Sequence, residues 1–401
     1  MRSFASDIVI FNFMVHFLSN NRFFGRTLLK EKAPILSTFL ILHIIFYTTK
    51  NSKAEKPNRQ GVLLMNFNKL ETNCNKSINL FQGPLFIIGM PRSGTKLLRG
   101  ILNEHPRISI PDIETQFLPT WITNWDTYGN LSDKMEFNRF YNKMIKLPYF
   151  LYMKENGRLI ESQVWYNQCV TFSVSGVFEA LIRHDANVPF GTIGIWGDKS
   201  PSYINYFPLI KKTFPHSRFI HIVRDVRDYC LSINKAWGKN MIRAAQRWFD
   251  GVQFVEINSK PYNSDLLVIK YEDLISSTHS VIKKVCDFLT IQFVPDMLLL
   301  SKPTENKGDA VGLYKIKADN RDKYKRLMKK KTLHKIEEIT VPMLKLYGYD
   351  VPICYEHKRL KSKQMLYYKI IDGINLFRYE IKERGIKNTV KWNLPFFKVN
   401  R

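Results

Sequence analysis

Short apolar runs recur along the middle of the chain, and stretches with helical character separate them. The runs lie at 85–89, 193–196, 218–223 and 266–270. The first is continuously apolar rather than alternating, which is typical of a central parallel strand covered on both faces. The alternation of strands with helices predicts an α/β fold in which helices flank both faces of a parallel sheet.

The first strand runs into a loop of small residues and then into the start of a helix. From Gly89 to Lys96 the chain is G-M-P-R-S-G-T-K, whereas a P-loop is G-x-x-x-x-G-K-[ST]. The lysine is one residue late, and the hydroxyl that binds magnesium in P-loop enzymes is missing. Backbone N–H groups at the helix N-terminus, with Arg92 and Lys96, would still hold an anion without a metal. The alternative is a purely structural turn, but such a turn has no need of Arg92.

Two segments together resemble a known family. PRSGT at 91–95, followed by LLRGILNEHP, is similar to the phosphosulfate loop of sulfotransferases that use 3'-phosphoadenosine-5'-phosphosulfate (PAPS), especially the tyrosylprotein and related Golgi or bacterial types. RFIHIVRDVRDYCLS at 218–232 resembles the 3'-phosphate site of that family. The resemblance implies that Arg224 and Ser232 bind the 3'-phosphate. The chemistry is suitable, because a guanidinium matches phosphate oxygens with paired hydrogen bonds.

Further matches follow in the family's order. They are GDKSPSY at 197–203, AQRW at 245–248, VIKYEDL at 268–274 and a closing helix at 332–346, so the resemblance covers about 84–350. It implies a P-loop-like central parallel sheet and a PAPS site made of Arg92, Ser93, Gly94, Thr95, Lys96, Leu97, Arg224, Ser232 and Tyr271. The departures are Lys96, where many members have threonine, and a weak match at 305–314, where a loop closes over the nucleotide.

The resemblance also supplies candidate catalytic residues. Glu114 corresponds to the family's catalytic glutamate, which acts as a base for the acceptor's proton. Lys199 corresponds to the family's lysine near the transferring sulfonate. The spacing between Arg92 and Glu114 is one residue longer than in the tyrosylprotein type. Asp112 is the alternative candidate for the base. The alternative for Glu114 and Asp112 is that both are loop carboxylates without a catalytic role. The alternative for Lys199 is a surface lysine without such a role. A structural role is expected for the histidines, which are His105, His184 and His221.

Charge adds a clue about partners. The chain has 61 Lys plus Arg against 35 Asp plus Glu, a net charge of +26. Such a field attracts PAPS and an acidic peptide or glycan acceptor, and it would also suit an anionic membrane. A compositional bias toward lysine explains it equally well. No nucleic-acid partner is expected because no nucleic-acid-binding motif is present, and the oligomeric state, a homodimer included, is left open.

The N-terminal region lies outside the resemblance. An uncharged apolar run at 33–49, bounded by lysines and arginines, predicts a signal-anchor helix after a cytoplasmic segment at 1–32. A stem at 50–82, a catalytic domain at 83–350 and a basic extension at 351–401 follow. This arrangement predicts a type II glycoprotein of the Golgi or ER membrane. A cleaved signal peptide and a buried helix are the alternatives, and the second apolar stretch at 3–18 obscures the choice.

Glycosylation patterns and cysteines bear on a lumenal catalytic domain. N-glycosylation patterns occur at Asn75 and Asn130. The five cysteines have no C-x-x-C spacing, so neither a zinc site nor a dithiol is indicated, and Cys230 and Cys286 are expected as buried thiols on helices.

The sequence therefore predicts a PAPS-dependent sulfotransferase that needs no metal. It transfers the sulfonate to a hydroxyl or amine of a peptide tyrosine or glycan and releases adenosine 3',5'-bisphosphate. A nucleotide kinase of the P-loop type, dependent on ATP and magnesium, is one alternative, and a non-catalytic anion-binding module of the same fold is another. Aromatic residues between 115 and 192 either line the acceptor cleft or belong to the core.

Overall fold

The computed structural model describes residues 80–192, 194–305, 309–352 and 355–385. Its strands are β1 Leu85–Gly89, β2 Ile108–Ser109, β3 Ile195–Lys199, β4 Arg218–Val223 and β5 Leu266–Lys270. They form one five-stranded sheet in the order β2-β3-β1-β4-β5, and every neighbouring pair is parallel. The predicted α/β fold with a P-loop-like central parallel sheet is confirmed.

Helices connect the strands and continue beyond the sheet. They are α1 Thr95–Asn103, α2 Leu118–Asn124, α3 Lys134–Met144, α4 Pro148–Glu155, α5 Ser162–Gln168, α6 Val174–Ala186, α7 Phe207–Thr213, α8 Val226–Trp237, α9 Met241–Asn258, α10 Tyr271–Ser276, α11 Thr278–Leu289, α12 Tyr324–Leu327, α13 Lys330–Leu346 and α14 Ser362–Arg384. Short 3-10 helices lie at Trp125–Tyr128, Pro201–Asn205, Lys260–Asp265 and Pro295–Leu298.

Strand β1 is the centre of the sheet because it pairs with both β3 and β4. All five of its residues are buried. Phe86 and Ile88 belong to one apolar core, and Leu85 and Ile87 belong to another. Because successive side chains of a strand point to opposite faces, the sheet is covered on both sides. The uninterrupted apolar run is the direct consequence of this double burial.

The aromatic residues that follow β2 mainly build the larger core. Trp121, Tyr149 and Trp165 are almost completely buried, and the rings of Trp121 and Trp165 stack with centroids 6.0 Å apart. For these three residues the core interpretation is therefore the one that the structure supports, and they do not line an acceptor cleft.

Three strands have the predicted bounds, but β3 does not. It spans 195–199 rather than 193–196. An apolar pattern ends at Trp196, whereas backbone pairing continues until Lys199 lies beside Ile87. Gly197 permits this pairing, since a Cβ there would come within 2.0 Å of the Leu85 carbonyl oxygen. Asp198 and Lys199 are consequently buried inside a strand, which hydropathy alone does not predict.

Helix α14 belongs to the region that was assigned to a basic extension, and it packs against the domain. Asp372, itself buried, accepts hydrogen bonds from the backbone N–H of Asn240 at 2.7 Å and from the Arg243 guanidinium at 2.5 Å. Asn375 donates to the Gly238 carbonyl at 2.8 Å. These contacts fix α14 against the C-terminal end of α8 and the start of α9.

The membrane and cysteine predictions have different outcomes. The proposed anchor at 33–49 lies outside the described residues, and no helix within the described ranges is long and apolar enough to cross a bilayer. Cys230 and Cys286 are buried free thiols on α8 and α11, as predicted.

Strand β4 contains a histidine that predicts a pH-dependent stability. His221 lies within the strand, as expected, is completely buried, and neither ring nitrogen has a hydrogen-bond partner among the described residues. Burial lowers the pKa of His221 from 6.5 to about 3. The unfolded chain therefore binds this proton more tightly than the folded chain. The contribution to stability is complete above pH 6.5 and is lost as the pH falls toward 3.

We expect the free energy of unfolding to fall below pH 6.5, with a slope from His221 of up to about 1.4 kcal/mol per pH unit. Urea unfolding at about pH 7.5 and about pH 5 measures this slope, and His221→Leu should reduce it. His216→Leu, at an exposed histidine, is the matched control and should leave it unchanged. An equal slope in wild type and His221→Leu would contradict the assignment.

Candidate active site

The loop between β1 and α1 turns sharply to present backbone N–H groups. Arg92 and Gly94 both adopt positive φ angles, 73° and 94°, and the N–H of Ser93 donates to the Met90 carbonyl at 3.1 Å. Gly94 precedes α1 and provides no side-chain cap. The first N–H groups of the helix remain oriented toward the loop, as a bound anion requires. The buried Ser93 hydroxyl likewise has no partner among the described residues.

Gly94 is required because the loop lies directly against a tyrosine. A Cβ on Gly94 would be 2.4 Å from Cδ2 of Tyr271, at the carboxyl end of β5. Tyr271 is buried, and its hydroxyl accepts a hydrogen bond from the Asn320 side chain at 2.7 Å. The sequence predicts that both residues belong to one site, and the structure brings them into contact.

Arg224 follows β4 and joins this contact from the other side. Its guanidinium lies over the Tyr271 ring, 4.4 Å from the centroid, and donates to the Arg92 carbonyl at 2.9 Å and the Asn320 carbonyl at 3.3 Å. The guanidinium is buried, and its Nε has no partner among the described residues. An unsatisfied donor on a buried cation indicates an anionic ligand.

Arg92 and Ser232 also meet, although 140 residues separate them in the chain. Arg92 Nε donates to Ser232 Oγ at 3.3 Å, and another guanidinium nitrogen contacts the Glu305 carboxylate at 3.2 Å. Ser232 lies on α8, on the side that faces the loop. The two segments that resemble the phosphosulfate and 3'-phosphate sites therefore form a single site.

A cavity of about 540 Å³ opens over these residues. Six of the nine predicted nucleotide-binding residues line it, namely Arg92, Gly94, Leu97, Arg224, Ser232 and Tyr271. Ser93 and Thr95 are buried beneath the loop. The weakly matched segment at 305–314 also contributes, through Glu305, Asp309, Ala310 and Leu313.

Sequence reasoning missed several cavity residues. The most notable are cations and one aromatic residue: Lys235, Lys315, Lys317, Lys323 and Tyr379. Lys235 and Lys323 both donate to the Asp309 carboxylate, and these hydrogen bonds lower the pKa of Asp309. Lys235 could have been found from its position three residues after Ser232 on the same helix, whereas no motif pointed to Tyr379.

A buried ion network supports the backbone at Arg224, and no sequence motif predicts it. Asp225 caps α8 by accepting from the backbone N–H of Arg227 at 2.9 Å. The Arg227 guanidinium binds Asp225 and also Glu337 of α13, at 2.7 and 2.9 Å. Because all three side chains are buried, removal of one would leave an uncompensated charge. The network fixes the turn that presents Arg224.

The two predicted catalytic residues form a separate pair beside the loop. Lys199 Nζ lies 2.5 Å from Glu114 Oε1, and the other Glu114 oxygen accepts from the Gln116 side chain at 2.8 Å. The Lys199 side chain is fully buried, whereas Glu114 is partly exposed. Burial lowers the pKa of Lys199; the charges of Arg99 and Lys96 act in the same direction, and Glu114 opposes them. Lys96 therefore acts electrostatically on this pair.

A buried hydrogen-bond network holds this pair in place. Thr115, next to Glu114, donates to Asp198 at 2.7 Å and contacts the Tyr203 hydroxyl at 2.5 Å. Asp198 precedes Lys199 in β3, and burial raises its pKa to about 6. The loop that carries the carboxylate is thus tied to the strand that carries the amine.

Asp112, the rival carboxylate, has different surroundings. It lies 3.3 Å from Arg99 and 3.2 Å from Lys302. Burial acts to raise the pKa of Asp112, but the charge of Arg99 and the contact with Lys302 outweigh it, so the pKa is lowered. Both carboxylates are ion-paired, but Glu114 pairs with the other candidate catalytic residue, Lys199, whereas Asp112 pairs with Arg99 and Lys302. Glu114 therefore stays the candidate base.

His105 has structural contacts, as expected. Its Nε2 lies 3.0 Å from the Gln292 carbonyl, and its Nδ1 accepts from the backbone N–H of Arg107 at 3.1 Å. Both ring nitrogens are therefore engaged with backbone groups. Within the described ranges, no group of three or more His, Cys, Asp or Glu is arranged to hold a metal ion.

The chain is similar to several known proteins. A model of the sulfotransferase family matches residues 84–296. A putative protein-tyrosine sulfotransferase of Caenorhabditis briggsae is 22% identical over 291 residues, which cover 67% of this chain and 90% of that protein. Protein-tyrosine sulfotransferase A of Caenorhabditis elegans is 23% identical over 291 residues, covering 65% and 68%. The solved sulfotransferase domain of the Synechococcus PCC 7002 olefin synthase aligns with a TM-score of 0.45 and 21% identity, over 69% of this chain and 99% of that one.

The parallel sheet, the β1–α1 loop and the cavity above it define an α/β protein with a P-loop-like candidate anion site. The family match spans 213 of the 401 residues, from 84 to 296, so the chain belongs to the sulfotransferase family.

The contact between the loop and Tyr271 predicts a strong effect of a single methyl group. Gly94→Ala places a Cβ 2.4 Å from the ring and also strains a positive φ. We expect it to lower the free energy of unfolding by about 1–3 kcal/mol more than Gly157→Ala, measured by urea unfolding.

Gly157 is the matched control because it also has a positive φ, 66°, but a Cβ there would meet nothing within 4 Å. The difference between the two variants isolates the contact with Tyr271 from the backbone strain. Equal losses of stability would show that the loop does not depend on this contact.

Proposed function

We propose that the protein transfers the sulfonate group of PAPS to the hydroxyl of a peptide tyrosine. The observation that carries this proposal is the meeting of Arg92, Arg224 and Ser232 at one cavity above the β1–α1 loop. The tyrosine acceptor is supported by the names of the two nematode relatives. The net charge of +26 is suited to an acidic peptide around that tyrosine.

The residues present fit a nucleotide with two separate anionic groups. The loop N–H groups, the buried Ser93 hydroxyl and Lys96 would hold the 5'-phosphosulfate. Arg224, with its unsatisfied Nε, and Ser232 would hold the 3'-phosphate. Two sites of this kind suit PAPS better than ATP, whose phosphates form one chain. The absence of a hydroxyl after a P-loop lysine also disfavours a magnesium-dependent kinase.

In the proposed reaction the acceptor oxygen attacks sulfur, and the bond from sulfur to the bridging phosphate oxygen breaks. The acceptor's proton passes to Glu114, and adenosine 3',5'-bisphosphate leaves with the electron pair of the broken bond. Lys199 and Arg92 stabilise the charge that develops on the bridging oxygen and the sulfonate. The Lys199–Glu114 pair keeps both groups oriented before the acceptor arrives.

For its location we propose a Golgi or ER membrane protein with a lumenal catalytic domain. The support is the apolar run at 33–49 with its flanking lysines and arginines. Asn130, the glycosylation candidate within the described residues, is exposed, as an acceptor asparagine must be.

Nucleotide preference tests the proposed co-substrate. Titration calorimetry should show clearly tighter binding of adenosine 3',5'-bisphosphate than of AMP or ATP, because only the bisphosphate reaches Arg224 and Ser232 with a 3'-phosphate. The loss of a charged hydrogen bond costs about 1.5–3 kcal/mol, so the preference over AMP should be about 10- to 100-fold.

Arg224→Ala supplies the control for this experiment. The variant should lose most of its affinity for the bisphosphate and little for AMP, which corrects for general disturbance of the site. Tighter binding of ATP than of the bisphosphate by the wild type would refute the sulfotransferase mechanism in favour of a kinase.

Glu114→Gln tests the base. The variant keeps the size of the side chain but cannot accept a proton, so nucleotide affinity should be nearly unchanged and transfer should slow about 10²- to 10⁴-fold. The measurement is transfer of ³⁵S from labelled PAPS to an acidic tyrosine peptide, compared with a glycan acceptor.

The matched control is Asp112→Asn, two residues away in the same loop. This substitution should reduce the rate much less, because Asp112 is paired with Arg99 and Lys302. A normal rate in Glu114→Gln would remove that residue from the mechanism, and transfer to the glycan alone would replace the peptide acceptor.

A further inference from the structure

One wall of the nucleotide cavity comes from outside the segment that the family model matches. That segment ends at residue 296, whereas α14 begins at Ser362. Tyr379, on α14, lines the same cavity as Arg92, Arg224 and Ser232. Its side chain is half-buried.

The position of this tyrosine is fixed by contacts one and two helical turns earlier. Asn375, four residues before Tyr379, donates to the Gly238 carbonyl at the end of α8, and Asp372 binds Arg243 and the Asn240 N–H. Residues four apart lie on the same helix face. The face of α14 that packs on α8 is therefore the face that presents Tyr379 to the cavity.

The cavity is lined by apolar as well as charged side chains. Its apolar lining residues are Leu97, Leu231, Ala236, Ala310, Leu313, Ile316 and Leu327, and its two aromatic residues are Tyr271 and Tyr379. Tyr271 packs against Gly94 and carries the Arg224 guanidinium over its ring, so it is already engaged with the anion-binding residues. A purine base requires an apolar or aromatic wall.

We propose that Tyr379 provides this wall, so that the C-terminal helix completes the nucleotide site and its ring packs against the purine base. This inference rests on the proposed function, since it assigns a contact to the nucleotide of that reaction. It makes Tyr379 a binding residue for the base, and Asp372 a positioning residue that holds the helix.

Calorimetry on the full chain with two ligands tests the inference. One ligand is adenosine 3',5'-bisphosphate, and the other is its abasic tetrahydrofuran analogue, which has both phosphates but no purine. Tyr379→Ala should weaken binding of the nucleotide about tenfold and leave binding of the abasic ligand unchanged, as expected for one base on one aromatic ring. Tyr379→Phe should bind both ligands like the wild type.

The control is Tyr367→Ala, at an exposed tyrosine on the same helix that does not line the cavity. It should bind the nucleotide normally. Thermal unfolding checks that each variant is folded, and Tyr379→Leu, which keeps an apolar side chain without the ring, replaces the alanine variant if that one is not.

Three results would overturn the inference alone: normal nucleotide affinity in Tyr379→Ala, an equal loss for both ligands, or a similar loss in Tyr379→Phe. The last two would assign the side chain to a phosphate through its hydroxyl. Failure of the wild type to bind adenosine 3',5'-bisphosphate is a distinct result, which would refute the proposed function and this inference with it.

Discussion

The guanidinium of Arg224 stacked on the Tyr271 ring is the contact on which the site depends. Arg224 directly follows β4, Tyr271 directly follows β5, and the hydrogen bond from Arg224 to the Arg92 carbonyl adds the loop that follows β1. Parallel strands bring their carboxyl ends to one edge of the sheet. The contact between Arg224 and Tyr271 then holds the segments after β1, β4 and β5 against one another. The same cation keeps one donor unsatisfied, so the interaction that builds the site also creates its affinity for an anion.

The proposed catalytic pair, Glu114 and Lys199, has an analogous support in a different part of the sheet. Burying Lys199 in β3 costs free energy, and the carboxylate of Glu114 offsets that cost. The hydrogen bond between Thr115 and Asp198 runs beside this ion pair and restricts how far its two segments can separate. The two segments are therefore held together by the Thr115–Asp198 hydrogen bond as well as by the ion pair.

The sequence predicted most of the sheet because β1, β4 and β5 follow simple hydropathy. Their buried residues are apolar, as at Phe219 and Ile220, with His221 as the exception. It failed at β3, where Asp198 and Lys199 are buried for reasons of chemistry rather than packing. The anion site could be predicted in outline, since Arg92, Arg224 and Ser232 lie in short motifs with fixed spacing. Lys323 and Tyr379 could not be predicted as cavity residues, because they reach the cavity only through long-range packing. No local sequence pattern indicates such packing.

The C-terminal helix shows why a motif defines a site incompletely. Motifs concentrate where backbone geometry is demanding, as at Gly94, where a positive φ and the contact with Tyr271 exclude a side chain. A wall for a flat apolar base makes no such demand on the backbone, because any aromatic ring at the right depth can stack on the base. The wall can therefore come from any helix that packs nearby, and here the buried ion pair between Asp372 and Arg243 brings α14 to that position. The groups that hold charge are thus specified locally, whereas the surface that surrounds the rest of the ligand is specified by how the whole domain packs.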